Sequence, residues 1–130
     1  MATVEQLRST LDQYIERFNC GDAAGWAALF ADDAAQEDPV GSPVNVGREA
    51  ITDFYATTRA NFGSVILSFA HDPVIVDHEA VMFLEALAGE PGSQVRIPLI
   101  ADVIIFDPDA RIRSLRAFYD PASIIPVAGP

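Results

Sequence analysis

The sequence predicts an α+β domain in which helices come first and an antiparallel sheet follows. Two changes of pattern carry this. Apolar residues recur at helical spacing over residues 4–18 and 51–62. From Ser64 onward the period is that of strands, in segments separated by turns rich in Gly, Pro and Asp. A third observation concerns residues 96–106, a strongly apolar strand with a single carboxylate, Asp102, in its middle.

The first helix starts at a capping box, Thr3-Val4-Glu5-Gln6, with Thr3 as N-cap and Gln6 reaching back. Val4, Leu7, Leu11, Ile15 and Phe18 form its apolar stripe, and Tyr14 shares that stripe. Gly21 ends it. Asp22 caps a second helix running from 23 to about 30, with Trp26, Leu29 and Phe30 facing inward, and Asp32-Asp33 breaks it. A short strand over 34–38 is stopped by Pro39 and the turn Val40-Gly41-Ser42-Pro43. Gly47 precedes a third helix from 48 to about 60, with Ile51, Phe54, Tyr55 and Phe62 on one side and Gly63 as terminator. Strands follow over 65–70, continued at 74–76, and over 80–88. The turn Glu90-Pro91-Gly92-Ser93 leads into the long strand, and Asp107-Pro108-Asp109-Ala110 leads into a last strand over 111–119. Residues 121–130 are an apolar, Pro-containing tail expected to lie over a surface.

Alternation along the long strand puts Ile100, Asp102, Ile104 and Phe106 on one face. Asp102 then points where three large apolar side chains point, into the interior. An unpaired buried carboxylate is costly, so the group keeps its proton and becomes a hydrogen-bond donor in an apolar wall. A structural acid paired with a buried Arg is the other reading, and the nearest basic residues along the chain are Arg96 and Arg111. Leu99, Val103 and Ile105 point to the opposite face and are apolar too. No helix remains to cover that face, so a two-fold homodimer is expected.

The 130 residues suit one domain with one core, spanning 1–130, and half of them are hydrophobic. Eight basic against nineteen acidic residues give a net charge of −11, which repels phosphate backbones and makes nucleic acid and anionic membranes poor partners. Cys20 is the only cysteine, so no intramolecular disulfide can form, and it reads as a small buried residue at a helix end. No apolar run reaches the roughly 18 residues of a membrane span, and the amphipathic start lacks a signal-peptide core. A cytoplasmic protein is the expectation.

Tyr14, Asp38 and Asp102 stand out together. Each alone has a plain structural explanation: a core tyrosine, a turn residue before Pro39, a buried acid. Their sequence settings resemble one family. Leu29-Phe30-Ala31-Asp32-Asp33-Ala34, Glu37-Asp38-Pro39-Val40-Gly41-Ser42, Gly47-Arg48-Glu49 and Phe54-Tyr55 are similar to segments of bacterial ketosteroid isomerases, the steroid Δ5-isomerases. Tyr14 before Asn19-Cys20-Gly21-Asp22 matches their oxyanion tyrosine, Asp38 their base, and Asp102 in Asp-Val-Ile-Ile-Phe their protonated acid. The resemblance runs from about residue 5 to 120, and is densest over 14–55.

That resemblance implies a nuclear transport factor 2-like cone, a curved antiparallel sheet closed by three N-terminal helices. It implies a cofactor-independent isomerase acting on a small apolar steroid, with a neutral acid and an ionised base in one site, as is known for ketosteroid isomerases. It places Asp38 toward a polar mouth and Asp102 deeper. Tyr55 matches a tyrosine that hydrogen-bonds the oxyanion tyrosine, while Phe30 takes the place of a further tyrosine, leaving a Tyr14–Tyr55 network. Met82, Phe83, Leu115, Phe118 and Tyr119 are expected steroid contacts. Rival readings on the same cone are a non-catalytic carrier of apolar molecules, a dehydratase working through His71 or His78, and an epoxide hydrolase. The last needs an Asp-Arg-Asp relay, for which only Arg96 is near the Asp102 face. Asp32, Asp33, Glu37 and Asp38 lack calcium-loop spacing, so no metal is expected.

Overall fold

The computed structural model describes residues 1–127. Three helices, α1 (Val4–Asn19), α2 (Ala23–Ala27) and α3 (Arg48–Phe62), cover one face of a seven-stranded sheet. The strands are β1 (Phe30–Glu37), β2 (Asn45–Val46), β3 (Val65–Val76), β4 (Glu79–Ala88), β5 (Val95–Phe106), β6 (Ile112–Phe118) and β7 (Ile125–Pro126). Their order is β2-β1-β6-β5-β4-β3, with β7 paired to β5. The sheet is curved and unclosed, so the α+β cone expected from the sequence is present.

The capping box forms as read: Gln6 N–H donates to Thr3 Oγ1 and Thr3 N–H to Gln6 Oε1. The buried stripe of α1 is Leu7, Thr10, Leu11, Tyr14 and Phe18, whereas Val4 is exposed at the first turn. Asn19 clasps the helix end to the sheet. Its side-chain amide donates to Leu67 O and accepts from Leu67 N–H, both at 2.8 Å. This fixes how α1, and with it Tyr14, sits on the strands.

Several details differ from the sequence reading. The meander β3–β6 is antiparallel, but β1 lies parallel to β6, which makes the sheet mixed. The second helix stops at Ala27, and Phe30 opens β1 instead of ending α2. Asp32 and Asp33 lie in an irregular stretch of β1, where five steps (Phe30 to Ala35) run against two (Ile112 to Ser114). Helix α3 runs two residues further than expected before Gly63, and Phe62 at its end is half exposed. Cys20 is exposed, because the helix end turns it away from the core. In the tail, β7 lies on β5 with Arg96 opposite Ile125; residues 128–130 are outside the described part.

β5 carries an irregularity that shapes the interior. Leu84 pairs with Ile100 and Ala86 with Ile97, so three steps on β5 face two on β4. This one-residue bulge holds Pro98 and Leu99 and reverses the alternation. Above it Asp102 and Ile100 face the helices; below it Ile97 and Val95 do.

Candidate active site

Between the helices and the sheet lies a cavity of about 170 Å³. Its walls are hydrocarbon: Phe18, Phe54, Val65, Leu67, Leu84, Ala86, Ile97 and Ile100 among others. Tyr14, Asp38, Asp102 and Tyr119 are the ionisable side chains lining it. Tyr14 comes from α1, Asp38 from just past β1, Asp102 from within β5 and Tyr119 from just past β6. Four sequence-distant polar groups thus meet in an apolar chamber.

Asp102 is 2% exposed, and its Oδ1 has no hydrogen-bond partner. Its strand neighbours are Met82 on β4 and Ala117 on β6. Burial first, and the nearby Asp38 charge second, hold its carboxyl well above the ordinary value, which favours its protonated form. Asp38 is only half buried by surface exposure, and also borders a polar depression of about 360 Å³ with Ser42, Asn45, Asp53 and Thr57. Burial raises it more modestly, from 3.8 to about 6. Both carboxyls are thus shifted upward, Asp102 well above its ordinary value and Asp38 only to about 6. Tyr14 is pushed well above 10.0 by burial, then by Asp102 and Asp38, and stays a phenol.

The Asp38 segment is braced from outside the cavity. Glu37 accepts from Gly41 N–H at 3.0 Å and from Arg116 Nε at 2.9 Å, and Val40 N–H donates to Ala117 O at 2.8 Å. The Gly41 amide and then Arg116 hold the Glu37 carboxyl below its usual value. The sequence reading named Glu37 in the segment that carries the resemblance and among acids without calcium-loop spacing, and gave it no bracing role. A carboxylate four residues before Gly41 in a tight Pro-containing turn was the available signal.

The expected wall residues divide. Tyr119 lines the cavity, and both burial and Asp38 raise its phenol. Met82 and Leu115 point inward but are wholly packed in the core, with no cavity surface. Phe83 points to the outer face of the sheet, where it packs against His71. Phe118 is 40% exposed on that outer face and borders a shallow hollow with Leu99 and Val40. Tyr55 does not join Tyr14: its hydroxyl donates to Phe18 O at 2.8 Å, tying α3 to α1. Among the described residues no group of three or more His, Cys, Asp or Glu is gathered as a metal would need.

The SnoaL-like domain model matches residues 11–119. The chain belongs to the SnoaL-like family. Over 121 residues this SnoaL-like chain is 32% identical to a steroid Delta-isomerase of Nocardioides simplex, covering 92% of its own length and 94% of that protein. Family and relative together make it ketosteroid isomerase-like. Two solved structures share the fold. One is the epoxide hydrolase/cyclase-like enzyme SalBIII, with a role in pyran ring formation in the polyether salinomycin: TM-score 0.85, 23% identity, 98% of this chain and 100% of that one. The other is a computationally designed 17-OHP binder: TM-score 0.80, 21% identity, 94% and 96% covered. At such identities these two speak for the SnoaL-like fold and not for its chemistry.

Proposed function

We propose that the protein is a cofactor-independent steroid Δ-isomerase that moves the double bond of Δ5-3-ketosteroids into conjugation. The observation that carries this is the meeting of Tyr14, Asp38 and Asp102 at one apolar cavity, with one aspartate raised far and the other only to about 6. The 32% identity to a steroid Delta-isomerase supports the substrate class.

In this reading the Asp38 carboxylate removes a proton from the carbon between the ketone and the double bond. The electron pair moves onto the ketone oxygen, giving a dienolate. Tyr14 O–H and the protonated Asp102 O–H donate to that oxygen in surroundings that exclude water. Asp38 then returns the same proton to the far end of the dienolate, and the enone is conjugated. A base near 6 is close to the operating pH, which suits both halves of the transfer.

The cavity is smaller than the roughly 300–1,000 Å³ of common ligand pockets. It takes the reactive end of a four-ring substrate, with the remaining rings running along Ile100, Ile97 and Val95 past Phe54 and Phe62. We also propose that two copies pair through the outer sheet face, where Leu99 and Phe118 are 52% and 40% exposed. Turnover is the test. Mixed with a Δ5-3-ketosteroid, the protein should generate the ultraviolet absorbance of the conjugated enone, and Asp38→Asn should bind steroid with turnover nearly abolished. A carrier would bind the steroid and produce no such absorbance.

A further inference from the structure

Tyr14 lacks the tyrosine partner expected for it, because the Tyr55 hydroxyl is taken by Phe18 O and residue 30 is a phenylalanine. What stands beside it is Trp26. The two rings lie 5.5 Å apart at 59°. Trp26 is fully buried, and its Nε1 is a donor with no hydrogen-bond partner. Buried indole N–H groups ordinarily find one, and leaving one unpaired is costly. Four rings fix the indole in place: Phe18 at 5.7 Å and Phe30 at 5.1 Å edge-on, Tyr55 at 5.6 Å tilted, and Phe54 at 6.4 Å stacked. Its orientation is set by packing, so the free N–H is a property of the site.

We propose that Trp26 is the positioning residue of the oxyanion site, its indole N–H donating to the Tyr14 oxygen as Tyr14 donates to the substrate's developing oxyanion. The inference rests on the isomerase reading and adds the group that acts through Tyr14. As Tyr14 gives up proton density, its oxygen becomes a better acceptor, and a donor behind it lowers the cost. The electrostatics agree: burial, Asp102 and Asp38 all disfavour the phenolate, and the Trp26 N–H is the group that favours it. In the free protein the pair stands short of hydrogen-bond geometry, as catalytic contacts often do before the reacting complex forms. Trp26 is thus not only a core aromatic that seats α2.

Trp26 is the only tryptophan in the chain, so its indole N–H gives one NMR cross-peak. Wild type and Tyr14→Phe are each titrated with a conjugated 3-ketosteroid. Phenylalanine keeps the neighbouring ring and its ring current and removes only the oxygen. The indole proton should move downfield on binding in the wild type, and not in Tyr14→Phe. No downfield shift in the wild type, or the same shift in both, overturns the proposal. If no cavity resonance moves at all, the isomerase reading fails first and takes this inference with it. A kinetic cycle provides the second readout and needs only the enone assay. Trp26→Phe should lower kcat about three- to tenfold with little change in KM, and cause no further loss in the Tyr14→Phe background. Equal losses in both backgrounds would make Trp26 a packing residue and overturn the proposal. Should Trp26→Phe not fold, the spectra of wild type and Tyr14→Phe still decide it.

Discussion

At the scale of single residues, Asp102 and Asp38 show how one side-chain type serves two tasks. Asp102 is enclosed by Ile100, Ile104 and the facing strands, so its charged form has nothing to stabilise it. Asp102→Leu should lose about 10²–10³ in turnover, the usual cost of one oxyanion donor, whereas Asp102→Asn keeps a donor of similar shape and should lose clearly less. Steady-state kinetics of the two variants check this; equal damage would remove the neutral-donor role. Asp38 must be ionised to act, so kcat/KM should fall as pH drops through about 6 and level off above it. Stability moves the other way. Both folded carboxyls bind protons more tightly than in the unfolded chain, with its ~3.9. Their contribution is therefore full below ~3.9 and is lost as pH rises through about 6 for Asp38 and beyond for Asp102. Denaturation midpoints across pH 3–8 measure it, and Asp102→Asn should not be less stable than wild type at neutral pH. Asp102's burial was legible because the period of two runs unbroken from Ile100 to Phe106, past the bulge. The wall residues were not, since Met82 and Phe83, or Phe118 and Tyr119, differ by one position and face opposite ways.

Elements fix what residues cannot. The bulge at Pro98 and Leu99 turns Ile97 and Val95 into the cavity, and nothing in the apolar run 96–106 marks where its phase reverses. The parallel pairing of β1 with β6 was equally invisible, because the partners lie some eighty residues apart and each reads as an ordinary short strand. By contrast, α1 and α3 were legible from caps and stripe, since those signals are local. Tyr55 shows the limit of a matched residue. Its type agrees with the resemblance, but the way α3 packs on α1 gives its hydroxyl to Phe18 O. Tyr55→Phe should therefore cost about 0.5–1.5 kcal/mol of stability, or up to ~3 if Phe18 O is left dry, while turnover stays within about threefold. Chemical denaturation and the enone assay separate the two effects. A hundredfold loss of turnover with unchanged stability would restore the Tyr14–Tyr55 network.

For the whole molecule, the helices close one side of the sheet and leave the other open. Leu99, Phe118, Val74 and Ile66 are exposed there, with Phe83, Val103 and Ile105 half buried beside them. Pairing through that face should give a dimer by sedimentation at micromolar concentration, and Leu99→Lys with Phe118→Glu should yield a folded monomer; a wild-type monomer would count against it. The net charge of −11 acts against close approach of copies, so raising the salt concentration should tighten the dimer. The proposed proton transfer requires one protonated and one ionised aspartate in the cavity at the same pH. Infrared spectroscopy of the free protein at pH 7.5 reads this directly, with Asp38→Asn and Asp102→Asn to assign the bands. The prediction is a protonated-carboxyl band that disappears in Asp102→Asn, together with a carboxylate band that disappears in Asp38→Asn. An ionised Asp102 in the wild type, or the reverse assignment, would contradict it.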